Sequence, residues 1–152
     1  LNSLLRALEQ EARGELPPAQ WLPRRERIDN LLDTADLPAA WRALTALQGD
    51  SDQALARAAK TLAEGCPLTA HLVWEQIRRA RHLSLADVFR MEYAMSLNCC
   101  RHPEFPEGVR ARLIDKDQAP RWHWADVATI PAAVIEAHFE SVWEGEHPLA
   151  DL

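Results

Sequence analysis

From residue 36 to the end of the chain, apolar side chains recur every three or four positions. The runs are bounded by residues that start or stop helices. Asp36 can cap a helix with Pro38 in its first turn, carrying Leu37, Trp41, Leu44 and Leu47 inward until Gly49 ends it. Ser51 is the next expected cap, with Leu55, Ala59 and Leu62 on one side and Gly65 as the stop. Pro67 opens a helix whose expected buried face is Leu72, Val73, Ile77 and Ala80. Ser84, with Asp87 three residues on, resembles a capping box for a helix reaching about Cys100. Glu107 to Ile114 reads as a short helix and residues 115–128 as irregular. Pro131 opens a terminal helix with Ile135, Phe139, Val142 and Trp143 as its stripe. Upstream, Leu1, Leu4, Leu5 and Leu8 share a helical face that closes near Gly14. Leu16-Pro17-Pro18 and Leu22-Pro23 are breaks, and a short charged helix runs from Arg24 to Leu32. Five glycines and little strand patterning agree with an all-α reading of one helical domain over residues 1–152.

Bulk properties narrow the function classes. A formal charge of -6 argues against a nucleic-acid binder that works by phosphate neutralisation. No apolar run approaches the roughly 18 residues that a membrane span requires, and the first residues do not form a signal peptide. Three cysteines, two of them adjacent at Cys99 and Cys100, make no disulfide framework, so a reducing, cytoplasmic compartment is expected. The chain opens on Leu1 in mid-pattern, as a piece of something larger would.

The helix from Ser84 divides its residues sharply. Asp87, Arg90, Asn98 and Arg101 fall on one stripe, the expected wet face. Leu85, Val88, Phe89, Cys99 and Cys100 lie opposite, and Glu92 and Ser96 project among them. A carboxylate among apolar groups must be paired, hydrogen-bonded or protonated. Glu92 is therefore either one half of a structural pair with an arginine of a neighbouring helix, or a buried acid at a site. Cys99, Cys100 and His102 match no zinc spacing, so no metal is expected. Trp122 and Trp124 flank the irregular segment and are expected to pin it to the helices.

Two phrases point further. Glu107-Gly108-Val109-Arg110-Ala111, then Leu113-Ile114-Asp115-Lys116-Asp117, Pro120 and Trp122, resemble the closing phrase E-G-V-R-A-x-L-I-D-K-D-x-x-P-x-W of 3-hydroxyisobutyryl-CoA hydrolases. These form a branch of the enoyl-CoA hydratase, or crotonase, superfamily. Met91-Glu92-Tyr93 and Ser96 resemble a second phrase of that branch, M-E-Y-x-x-S. A looser superfamily pattern, E-G-x-x-A-F-x-x-K, is kept at Glu107, Gly108 and Ala111. Arg112 stands in place of its aromatic residue, and Asp115 in place of its lysine with Lys116 adjacent.

The resemblance implies the C-terminal helical part of an acyl-CoA thioester hydrolase of valine breakdown, without the αβ spiral core that would precede it. It implies no catalytic residue in this chain, since the Gly-rich oxyanion loop and the catalytic carboxylates of the family lie upstream. Arg112 and Lys116 would meet coenzyme A, which is part of the substrate rather than a cofactor. The missing core and a second copy of the chain would be partners. Two competing expectations are a hydratase or isomerase of the same superfamily and a free-standing helical protein-interaction module.

Overall fold

A computed structural model describes residues 2–152. It falls into two compact units, Leu1–Asp33 and Thr34–Leu152, and among the described residues every regular element is helical.

The first unit holds α1 (Asn2–Ala12), a 3-10 turn at Leu22–Arg24 and α2 (Arg25–Leu32). Leu1, the first member of the expected stripe, lies outside the described residues. Leu4, Leu5 and Leu8 are all exposed, and no described residue of this unit is buried. Exposed ion pairs such as Arg25–Asp29, 3.5 Å apart, contribute little here.

The second unit contains α3 (Leu37–Thr45), α4 (Gln53–Ala63), α5 (Pro67–Ala80), α6 (Leu85–Arg101), α7 (Glu104–Val109) and α8 (Ala132–Ala137). The cap expected at Asp36 is present, its carboxylate accepting from Ala39 N–H at 2.8 Å. At α4 the cap is Asp52, not Ser51. Both residue types cap well, but the helix begins at Gln53, so the extended residue before it is Asp52, which takes Ala54 N–H at 3.0 Å. At α6, Ser84 Oγ accepts from Asp87 N–H at 3.1 Å and donates to Asp87 Oδ2 at 2.6 Å. That hydroxyl, with Arg90 beside it, holds the Asp87 carboxyl below the usual aspartate range.

The core of this unit forms around Leu68, Leu72, Ile130 and Ile135. The buried face of α5 is therefore rotated from the expected one. Leu68 and Leu72 are buried, whereas Val73 and Ile77 are exposed. A similar inversion governs α6. Arg90, on the expected wet face, donates to the carbonyls of Leu149 (3.0 Å), Ala150 (3.2 Å) and Leu152 (2.8 Å). Asn98 Nδ2 donates to the carbonyls of His138 (3.1 Å) and Glu140 (2.9 Å). Arg90 and Asn98 of the polar stripe are thus covered by the end of the chain, while the apolar stripe is partly bare: Leu85 is 72% exposed, and Phe89 and Cys100 are exposed too, whereas Cys99 packs against the core. Periodicity reveals that two faces differ, but a backbone carbonyl can cover a polar face as well as a leucine covers an apolar one.

Two further boundaries move. The terminal helix stops at Ala137, so Phe139, Val142 and Trp143 lie beyond it. His138 Nδ1 takes the Val134 carbonyl at 2.7 Å, the acceptor that the next helical N–H would need. The helix expected over Glu107–Ile114 starts earlier, as α7, and passes into one π-helical turn at Arg110–Ile114, where Asp115 N–H donates to Arg110 O at 2.8 Å. The stretch expected to be irregular, 115–128, runs into a 3-10 turn at Val127–Thr129.

The rotated α5 stripe can be tested. Leu72→Ala should lower the unfolding free energy by about 2–5 kcal/mol. Ile77→Ala should change it by no more than about 0.5 kcal/mol. Urea titration of residues 1–152 distinguishes the two, and equal losses would restore the expected face.

Candidate functional site

The phrase from Glu107 to Trp122 folds into a clasp around one side chain, Arg110. Its guanidinium makes two bonds to Glu107, at 2.8 and 2.9 Å. It also donates to Asp115 Oδ2 and Asp117 Oδ2, both at 2.6 Å, and to Ala119 O at 3.2 Å. Glu107 reaches on to Arg121 N–H at 2.6 Å, and Glu104 reaches His123 N–H at 2.9 Å. Two carboxylates one helical turn apart on α7 thus sew the returning strand of loop 119–123 to the helix. Gly108 suits this closeness: a Cβ there would lie 3.2 Å from Trp122 Cη2, tight enough that the indole would have to shift. Trp124 stacks on His102, ring centroids 5.7 Å apart, so both tryptophans hold the segment as expected.

The clasp imposes an unusual backbone. Lys116 and Gln118 both have φ of 57°, in the left-handed region that non-glycine residues seldom occupy. Gln118 N–H donates to Ala111 O at 3.1 Å, and its side chain takes Arg112 Nη1 at 2.7 Å. Arg112 is exposed and sits on the rim of a cleft. Lys116 is exposed on the same loop, with no polar partner among the described residues. The structure therefore brings Arg112 and Lys116 onto one turn. Glu92 is elsewhere: half-buried on α6, it accepts from Gln76 Nε2 of α5 at 2.5 Å, so its partner is an amide rather than an arginine.

The cleft has a volume of about 380 Å³ and lies between the start of α5, the end of α6, α7 and the π turn. Leu68, Leu72 and Val109 are among its walls, and Cys66, Cys99, His102 and His138 also line it. Burial pushes the Cys99 thiol up, with the neighbouring thiol of Cys100 adding to the effect, which makes Cys99 a poor nucleophile. Burial, with His138 beside it, pushes the His102 imidazole down, so it is neutral at neutral pH. Two residues that sequence reasoning missed are the buried polar ones of this region, Glu104 and His138. Glu104 had a visible signal in its three-residue spacing from Glu107. Nothing in the sequence separates His138 from the other histidines.

The electrostatics of the clasp give a pH dependence. Hydrogen bonds from Arg110, then from Arg121 N–H, hold the Glu107 carboxyl down at about 2 against an ordinary 4.5. Asp117 is lowered too, by Arg110 and then by Ala119 N–H. A depressed carboxyl stabilises the fold fully above its unfolded-state value and loses that contribution as pH falls through the folded one. Loop 115–121 should therefore keep its order at pH 5 and lose it progressively from pH 4 towards pH 2. Near-ultraviolet circular dichroism of Trp122 against pH should show that step, and Glu107→Gln should remove much of it.

A sequence profile of the enoyl-CoA hydratase/isomerase family matches residues 1–139. The mitochondrial 3-hydroxyisobutyryl-CoA hydrolase of Danio rerio is 38% identical over 98 residues, 64% of this chain and 26% of that protein. The enzyme of the same name from Gallus gallus is 45% identical over 85 residues, 56% of this chain and 20% of its own length. Among solved structures, a carnitinyl-CoA dehydratase from Mycobacterium thermoresistibile superposes with a TM-score of 0.69 at 30% identity, over 86% of this chain and 38% of that one. An enoyl-CoA hydratase from Rhodobacter sphaeroides 2.4.1 gives 0.65 at 26% identity, over 93% and 42%. The chain thus spans about a quarter of the curated relatives and about two fifths of the structures. These superpositions correct the all-α class expected from periodicity. The described residues are helical, but they match parts of crotonase-fold enzymes, and the class is that of the crotonase fold. Helical periodicity is a local property, and it cannot show what larger fold the bare faces of the helices belong to. The matched profile, covering all but the last residues, places the chain in the enoyl-CoA hydratase/isomerase family.

Proposed function

We propose that this chain is the C-terminal part of an acyl-CoA thioester hydrolase acting on a short 3-hydroxyacyl group, as in valine breakdown. Its part is to close the acyl-CoA site and to meet the nucleotide end of the substrate through Arg112 and Lys116. One observation carries the reading: Arg110 ties down every carboxylate of the 107–119 segment and leaves Arg112, on the π turn, and Lys116, in a left-handed conformation just after it, exposed. Holding a turn in left-handed conformations is costly, and such strain is commonly kept where a side chain must be displayed. An exposed arginine and lysine suit the phosphates of coenzyme A. Coenzyme A enters as part of the substrate, with no separate cofactor. The curated relatives named as hydrolases, and the two phrases shared with that branch, support hydrolysis. A hydratase or isomerase is the second reading, supported by the names of the superposed enzymes.

In this reading the oxyanion hole and the acid that assists attack belong to the remainder of the protein, and Glu92 has a structural place against Gln76. Three free cysteines fit a reducing compartment. The cytoplasm is one, and the relatives' names point to mitochondria instead. No helix among the described residues is long and apolar enough to cross a membrane.

Residues 1–152 alone should not turn over 3-hydroxyisobutyryl-CoA in a thiol-release assay, whereas the full-length protein should. Turnover by residues 1–152 at an ordinary enzyme rate would overturn the division of labour. In the full-length protein, replacing Arg112 and Lys116 together by alanine should raise KM roughly three- to tenfold at low ionic strength and leave kcat nearly unchanged, as expected for lost uniform binding. An unchanged KM would make the segment structural.

A further inference from the structure

Arg110 and Arg112 lie two residues apart and have partners of different kinds. Glu107, Asp115 and Asp117 all bond to Arg110. Arg112 forms no ion pair among the described residues. Its Nη1 donates instead to Gln118 Oε1 at 2.7 Å. The kind of acceptor matters. A carboxylate would grip the guanidinium at least as firmly, but it would cancel the charge. An amide oxygen fixes one of the five N–H donors and carries no net charge. Arg112 is thus oriented while its charge and most of its donors stay available. Neither the backbone nor packing selects glutamine at 118. Its φ of 57° lies in the region that glycine enters freely and asparagine tolerates. Its N–H bond to Ala111 O, at 3.1 Å, could come from any residue but proline. The residue is exposed, so no core contact requires its shape. What separates glutamine from the residues this backbone favours is the side-chain bond to Arg112.

We propose that Gln118 is a positioning residue: it aims Arg112 at a phosphate group without neutralising it, and so sets how tightly this loop holds a phosphorylated ligand. The inference rests on the reading of Arg112 as a phosphate contact and adds the residue on which that contact depends. The segment sorts its acceptors by charge. Its carboxylates go to Arg110, which holds the loop, and a neutral amide goes to Arg112, which faces solvent. Exchanging the amide for a carboxylate strengthens the internal bond and weakens the site, so stability and binding move in opposite directions. A role in holding the fold has no such opposition.

The test uses the full-length protein and adenosine 3′,5′-bisphosphate, which carries phosphates and no acyl group. Binding is measured by calorimetry at low ionic strength, and stability by urea titration. Gln118→Gly suits the left-handed backbone and removes the amide. It should bind the bisphosphate about threefold more weakly and unfold no more easily than the unaltered protein. Gln118→Glu keeps an acceptor for Arg112 and cancels its charge. It should be at least as stable as the unaltered protein, yet bind about tenfold more weakly. A purely structural role gives the reverse order, with glutamate restoring what glycine loses, and that order would overturn the proposal. In an Arg112→Ala background, Gln118→Gly should have no further effect on binding. The same threefold loss there would mean that Gln118 does not act through Arg112, and would overturn it too. Should Gln118→Glu fold poorly, the glycine variant alone and combined with Arg112→Ala still decides. The two readings fail separately. Bisphosphate binding that depends on Gln118, without thioester hydrolysis, would keep this inference and remove the hydrolase. Binding lost in Arg112→Ala but intact in Gln118→Gly would remove this inference and keep the arginine contact. No saturable binding by the unaltered protein would overturn both.

Discussion

Everything distinctive about the candidate site depends on Arg110. A guanidinium offers five donors in a planar fork, and here four acceptor groups, three of them carboxylates, use them. A lysine at this position has too few donors and the wrong shape to hold Glu107 in a bidentate grip while reaching Asp115 and Asp117. The interaction is only partly screened by water, since the side chains of Arg110 and Glu107 are each about three-quarters buried. It offsets the cost of two left-handed residues, Lys116 and Gln118, and of a π turn in which one backbone bond is stretched across five residues. Without the clasp, the turn would relax to an ordinary helix end, and the exposed cations would lose their fixed place.

The same economy recurs on α6. The phrase Met91-Glu92-Tyr93 could have marked chemistry, yet its members fasten neighbours. Glu92 binds Gln76 across the α5–α6 hairpin, and Tyr93 packs edge-on against Trp143 with ring centroids 5.6 Å apart. Arg90 holds the last carbonyls of the chain. Side chains of one helix thus bind both the preceding helix and the C-terminal segment. On these two helices Val73, Ile77, Leu85 and Phe89 are exposed. Exposed apolar side chains of this kind mark surfaces that other groups can cover.

Much of this was legible in the residues themselves. Helix starts at Asp36, Pro67, Ser84 and Pro131 follow from local chemistry, because a cap or a proline acts on the turn beside it. The placing of Arg112 and Lys116 on one loop, and the anchoring role of Trp122 and Trp124, were equally readable, since only a few residues separate the groups involved. Ser51 lost its cap to Asp52 for a local reason as well: both residues qualify by type, and the choice between them turns on a single backbone bend.

The sequence by itself determined where the chain coils, where it breaks, and which family phrase it carries. Only the tertiary structure decided which face of each helix is covered. The periodicity of α5 and α6 marks two faces without saying that the C-terminal carbonyls will take the polar one. It also decided that Arg110, unremarked in sequence, would be the centre of the clasp, because its partners Asp115, Asp117 and Ala119 reach it only after the loop has turned back. The pairing of Trp122 with His138 on one cleft belongs to the same class. They are sixteen residues apart, on segments joined through the core around Leu68 and Ile135, and no local rule brings this indole and this imidazole to the same cleft.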